Sequence, residues 1–284
     1  VRVRVEKGEG NLNIEVMNQP LIRAFRATVA YDGSGFKGSQ LQRNDRSVVG
    51  EIDWALARVL DHPVRVKAAS RTDSGVHATG QVVGFRTSAP RTADQIRRAL
   101  NSLLPGDVRI TDCREVGFDF HARYSALGKM YLYRILRAAE LPPTAREYVL
   151  FLPEEKPFRK DLLVREIRAF KGEHDFRAFS PRLEPGENPV KTIWGAAVIE
   201  DPPLTGVRFV GSGFLYQMVR RMMGLVIAVA SGRVKPGAAR KALTDPDKGS
   251  IVQLAPSKGL FLEKVMYSED EVREAVESIG SRGI

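Results

Sequence analysis

The sequence predicts an α+β fold of two ferredoxin-like βαββαβ lobes whose antiparallel or mixed sheets adjoin. Two observations carry this. Runs rich in β-forming residues alternate with stretches of helical period, and the order strand, helix, strand, strand, helix, strand occurs twice along the chain.

The first pass begins at Leu21–Tyr31, a β-rich run that ends at the turn signal Asp32-Gly33. Val48–Leu60 is helical, with Val49, Ile52, Ala55, Leu56 and Val59 on one face. Val64–Ala69 and Gln81–Arg86 are strands. Thr92–Leu104 is a helix with Ile96, Leu100, Leu103 and Leu104 as its stripe, stopped by Pro105-Gly106. Val108–Val116 closes the unit. The second pass starts with the strand Tyr131–Leu136, followed by a helix over Arg159–Phe170 that turns Leu162, Leu163, Ile167 and Phe170 inward. Thr192–Glu200 and Gly206–Val210 form strands joined across Asp201-Pro202-Pro203. Phe214–Ala230 is a long apolar helix, Pro236–Leu243 a short one, and Gly259–Met266 the closing strand.

Two segments, around Ala139–Lys156 and Pro181–Pro189, are rich in Pro and Glu and are expected to be linkers or exposed loops. The resulting division is an N-terminal extension at 1–20, a first lobe at 21–118, a second at 119–267, and a polar tail at 268–284 expected to be a fraying surface helix. A cleft between two lobes is a natural place for a substrate.

Composition narrows the chemistry. With 284 residues, 43% hydrophobic and 27% charged, the chain can bury a core without staples. A single cysteine, Cys113, excludes an internal disulfide and cysteine-rich metal sites, and the four histidines show no ligand spacing. Residues 1–20 alternate charge and valine without an apolar core, so no signal peptide is expected, and a reducing cytoplasmic compartment fits. The net charge of +10 favours an anionic partner, nucleic acid above all.

The densest polar constellation is Ser70-Arg71-Thr72-Asp73-Ser74-Gly75-Val76-His77-Ala78, a loop between two strands. Taken by composition alone, Asp-Ser-Gly is ordinary turn chemistry. Its linear order says more. Arg71 to Ala78 resembles the active-site signature of the tRNA pseudouridine synthase A family. Five further blocks are similar to that family in the same order: Tyr31 to Phe36, Phe120 to Tyr133, Gly172 to Phe179, Gly213 to Arg221 and Ala255 to Leu260. The resemblance runs from about Phe25 to Tyr267. One block departs from it. Where the family usually carries Gly-Trp-Gln, this chain has Gly38-Ser39-Gln40, so that turn is not expected to stack or pack as in typical members.

The resemblance implies the pseudouridine synthase fold and a cofactor-free isomerisation. The N1–C1′ bond of a uridine is cut, the base turns over, and C5 is joined to C1′. Asp73 matches the family's catalytic aspartate; a carboxylate there either adds covalently to the ring or sugar or takes a proton from the sugar. The target base must leave its stack, at a cost of roughly a few kcal/mol. Arg71 matches the residue that fills the gap, and Tyr131 the tyrosine that packs on the flipped base, where stacking contributes roughly 1–3 kcal/mol. Arg220 lies in an otherwise apolar helix that contains no acid, so a buried guanidinium there needs a partner from elsewhere. The family pairs it with the catalytic aspartate. His77 and Gln81 are expected to support the loop or touch RNA.

The compact chain, without a long basic tail, points to a bacterial-type enzyme acting on the tRNA anticodon arm at about positions 38 to 40. The resemblance also implies a homodimer. Two other readings compete with this one. The first is a pseudouridine synthase with a different RNA target. The second is a non-catalytic RNA-binding protein of similar topology, which would read RNA through sheet-face aromatics in a motif this chain lacks.

Overall fold

The structure is a computed structural model that describes residues 2–8, 11–17, 21–246 and 253–280. The N-terminal extension forms an antiparallel hairpin of β1 (Arg2–Gly8) and β2 (Asn11–Met17); the rest of 1–20 lies outside the described residues. The first unit then runs β3 (Arg23–Tyr31), α1 (Val48–Leu60), β4 (Lys67–Ala68), β5 (His77–Thr87), α2 (Ala93–Leu103) and β6 (Val108–Val116). The second runs β7 (Gly128–Ala138), β8 (Leu150–Pro153), α3 (Lys160–Arg168), β9 (Gly172–Asp175), β10 (Val190–Asp201), β11 (Leu204–Gly211), α4 (Met218–Ala230), α5 (Ala238–Thr244) and β12 (Leu260–Met266). α6 (Glu269–Gly280) follows.

The strands of both units belong to one ten-stranded mixed sheet, ordered β6-β3-β5-β12-β7-β11-β10-β9, with β4 on β5 and β8 on β7. Within the first unit β6, β3, β5 and β4 stand in the order fourth, first, third, second, all antiparallel. β12, β7, β11 and β10 repeat that order in the second. This is the expected double βαββαβ arrangement. The units join where β12 runs parallel to the start of β5, at His77 and Ala78.

Local chemistry explains the helices. Ser47 caps α1 by accepting from the Gly50 amide, and Ile52, Ala55 and Leu56 are fully buried on its inner face. α2 starts with a reciprocal capping box between Thr92 and Gln95. α4 is buried along nearly its whole length. Met222, Met223, Val226 and Val229 have no exposed surface, and each such side chain contributes roughly 1.5–3 kcal/mol of burial before entropy is counted. The amides of Gly237 and Ala239 at the start of α5 donate to the buried Glu166 carboxylate on α3.

Several elements differ from expectation. The strand expected at Val64–Ala69 shortens to Lys67–Ala68, with the Val66 amide donating to Asp53 Oδ1 at 2.8 Å, while β5 begins earlier than expected, at His77. The linker region carries β8, which pairs in parallel with β7. β9 is an additional edge strand on β10. α4 begins at Met218: Gln217 adopts φ 59, and residues 214–216 form an approach to the helix instead of its first turn. The tail expected at the surface packs on the sheet at its described residues. Its Ala275 and Ile279 are buried against Val210 and Met266, while the alternate residues Phe209 and Val265 face the main core.

Candidate active site

Asp73 lies in the loop that joins β4 to β5. That loop is held by bonds from three directions. The side chain of Gln81, one turn of the pleat into β5, donates to the Ser70 carbonyl at 2.7 Å and accepts from the Ser70 amide at 3.2 Å. The Tyr31 hydroxyl shares a hydrogen bond with Thr72 Oγ1 at 2.8 Å. Ser39, 2% exposed, brackets the peptide of Thr72: its Oγ accepts from the Thr72 amide at 2.8 Å and its amide donates to the Thr72 carbonyl at 3.1 Å. Two glycines permit the close approach. A side chain at Gly33 would meet the Val76 carbonyl at 2.1 Å, and Gly75 has φ +75 with Ser257 close by.

The expected partner of Asp73 is at hand. Arg220 Nη1 donates to Asp73 Oδ2 at 2.6 Å, with side-chain exposures of 13% and 18%. Arg220 Nε donates to the Ala255 carbonyl at 2.9 Å, and the Ala255 amide returns a bond to the Arg220 carbonyl. The guanidinium is thereby fixed at two points before it meets the carboxylate. Such a charge-assisted bond in a mostly dry site is strong, and removing either partner strands the other. Arg220 also occupies the first turn of α4, a helix end of partial positive charge that a nearby carboxylate offsets. Among the described residues no hydrogen bond engages Asp73 Oδ1, and the side chain lines a cleft of about 1150 Å³.

Tyr131 on β7 lines the same cleft. Its ring packs edge-on against Phe214 at 5.0 Å, and its hydroxyl shares a 3.0 Å hydrogen bond with Ser70 Oγ in the Asp73 loop. Burial, joined by the nearby Asp73 charge, pushes the phenol up to about 12 despite the Ser70 bond. Tyr131 is therefore a neutral phenol at physiological pH, suited to packing and hydrogen bonding and not to taking a proton.

Arg71 also lines the cleft but points elsewhere. Its Nη1 pairs with Glu184 at 2.6 Å, an exposed contact to the 181–189 loop. Thus Asp73, Arg220 and Tyr131 are brought together, and Arg71 stands apart at the rim. His77 is buried. Its Nδ1 accepts from the Gly33 amide at 3.0 Å, which leaves the proton on Nε2, facing the Glu147 carbonyl at 2.8 Å. Burial lowers its pKa, so the neighbouring Asp32 at 3.3 Å is not an ion-pair partner of a charged ring. His77 thereby ties the turn at Gly33 to the Glu147 carbonyl.

Sequence reasoning placed Ser70 in the polar constellation without giving it a role, and did not reach Ser39 or Glu184 as parts of this site. Ser39 left one trace, a small hydroxyl where the family usually has an aromatic. Its partner is 33 residues away in sequence.

The comparisons with known proteins converge. Residues 27–125 and 167–268 match a family model described as tRNA pseudouridine synthase. A tRNA pseudouridine synthase A of Geobacillus kaustophilus is 38% identical over 252 residues, covering 88% of this chain and 96% of the relative. Those of Exiguobacterium sibiricum and Listeria monocytogenes are each 37% identical, covering 88% and 86% of this chain and 99% and 98% of the relatives. The solved structure of a Cbf5–Nop10–Gar1 complex is a distant likeness, with TM-score 0.33 at 13% identity over 72% of this chain and 45% of that one. With matches across both units, the chain belongs to the tRNA pseudouridine synthase family.

Proposed function

We propose that this enzyme converts uridine to pseudouridine in the anticodon stem-loop of tRNA, at about positions 38 to 40, with Asp73 as its catalytic carboxylate. The observation that carries the reading is the 2.6 Å pair of Arg220 with Asp73 inside the cleft. The pair aims the carboxylate while leaving one oxygen unengaged among the described residues. That oxygen either bonds to the ring or sugar or takes a proton from the sugar. The N1–C1′ bond breaks, C1′ joins C5, the C5 proton leaves and N1 gains one, so atoms and charge balance without redox chemistry.

Tyr131 packs on the uracil that has left the RNA stack, and Arg71 exchanges Glu184 for RNA at the rim. Lobes at 21–118 and 119–267 form the two sides of the cleft. A basic chain recognises its RNA largely by shape and backbone. We place the protein in the cytoplasm as a homodimer; among the described residues no helix is long and apolar enough to cross a membrane.

The test uses tRNA carrying tritium at C5 of uridine. Release of tritium to water at catalytic protein concentration supports the reading. RNA binding without release would reduce the protein to an RNA-binding module.

A further inference from the structure

The cleft also holds a lysine that the proposed chemistry does not use. Lys129 is on β7, two residues before Tyr131, so both side chains leave the same face of the strand. Both line the cleft. Lys129 is half-buried, and among the described residues its side chain makes no hydrogen bond or ion pair.

Its charged neighbours are mostly of its own sign. Arg123 comes from the segment before β7, Lys191 from β10, and the single acid facing it is Glu187 of the 181–189 loop. Neither Arg123 nor Lys191 has an acid partner within ion-pair reach among the described residues. Burial, then repulsion from Arg123 and Lys191, pulls the Lys129 ammonium down to about 8, against the smaller pull of Glu187. Gly211, the last residue of β11, pairs with Lys129 across the sheet and adds no side chain there. The Lys191 chain passes within about 4 Å of where a side chain at Gly213 would stand.

Three cations faced by one acid are short of negative charge. We propose that Arg123, Lys129 and Lys191 form a phosphodiester site that grips the RNA backbone beside the uridine held at Tyr131. Two residues along a strand span about 7 Å, the scale that separates a nucleobase from the phosphate of its own nucleotide. A lysine ammonium is a compact point charge that suits a phosphate oxygen. Arg123 also lies 5.8 Å from the ring of Tyr124, whose own ring packs at a tilt on His121 at 4.4 Å, so the site opens onto an exposed aromatic rim. The phosphate cancels the repulsion among the three cations, and Lys129 takes up a proton when RNA binds.

This inference rests on the reading that the cleft takes RNA, and the experiment separates the two. Binding of an unmodified tRNA transcript is measured across salt concentration and from pH 6 to 9 for the parent protein, Lys129→Met and Lys129→Arg, with tritium release followed in parallel. The Met variant removes a half-buried charge, so it folds at least as readily as the parent. The parent is expected to lose affinity as pH rises through about 8, because the free lysine then has to be protonated. Lys129→Met is expected to bind about five- to tenfold more weakly at moderate salt, with the log–log salt slope smaller by about one and the loss of affinity near pH 8 gone. Lys129→Arg, charged at every pH tested, keeps the slope and also loses the pH dependence. A Met variant matching the parent in affinity, slope and pH response overturns the site, whatever the turnover. Absence of tritium release from a parent protein that shows these Lys129 effects overturns the proposed reaction and leaves the site standing.

Discussion

The two walls of the cleft differ in how their polar groups are satisfied. On the Asp73 side, Ser39, Gln81, Tyr31 and Arg220 bond the loop from separate elements, and the carboxylate is held through Oδ2 by Arg220. On the β7 side, Lys129 faces other cations, and Tyr124 is 78% exposed. The first wall is preorganised, as groups that act on charge in a reaction need to be. The second stores unfavourable electrostatics that an anionic ligand relieves. The carboxylate and the cations are thus held in different ways within one cavity, and substitutions can test that difference.

The largest effect is expected from Asp73→Asn. Turnover should fall by at least about a thousandfold, more than 4 kcal/mol in barrier terms, while affinity for tRNA stays within about threefold of the parent. Single-turnover rates and a binding titration measure both. A variant that loses affinity instead would merge the roles of the two walls.

Arg220→Met comes next. It leaves the Asp73 carboxylate without its counter-charge in a site largely closed to solvent, and breaking such a pair costs about 3–5 kcal/mol when fully buried. With both groups partly exposed, a drop in kcat of about a hundredfold is expected, with KM little changed. Unchanged kcat would refute the pairing as a device for catalysis.

Tyr131→Ala should lower the rate about tenfold, the worth of one base stack, and should cost some stability through the lost packing on Phe214. Tyr131→Phe keeps the ring, loses only the Ser70 bond, and is expected within about threefold of the parent. Equal losses for the two variants would move the contribution of Tyr131 from its ring to its hydroxyl.

The smallest effect is at Ser39. Ser39→Ala leaves the buried Thr72 amide without its acceptor, which costs about 1–3 kcal/mol. Thermal unfolding should shift down by a few degrees and kcat by a few-fold, with tRNA affinity unchanged. A variant altered in affinity alone would place Ser39 on the RNA-binding side of the comparison.

Most of the architecture could be read from local pattern, because α1, α2 and β3 each carry the period of their own burial. What escaped was decided by contacts distant in sequence. β4 is short, and the Val66 amide just before it bonds the Asp53 carboxylate on α1. β8 and β9 are short edge strands whose pairing partners alone define them. Phe214 looked like the first apolar residue of a helix, yet it lies before the helix begins and packs on Tyr131. At the site, Asp73 stood out through the order of its neighbours, and Arg220 through the absence of any acid on its own helix. Ser39, Glu184 and Lys129 carried no such mark. A serine in a turn, a glutamate in a loop and a lysine on a strand each have an ordinary solvent-facing explanation until the fold sets them against Thr72, Arg71 and a pair of cations.

The most direct test of the account is a nucleotide-resolution map of pseudouridine in bulk tRNA after treatment with the parent protein and with Asp73→Asn. The account expects new pseudouridines at about positions 38 to 40 of several tRNAs with the parent and none with the variant. Pseudouridine formed equally by both proteins would remove Asp73 from the reaction, and a parent that forms none would contradict the account at its centre.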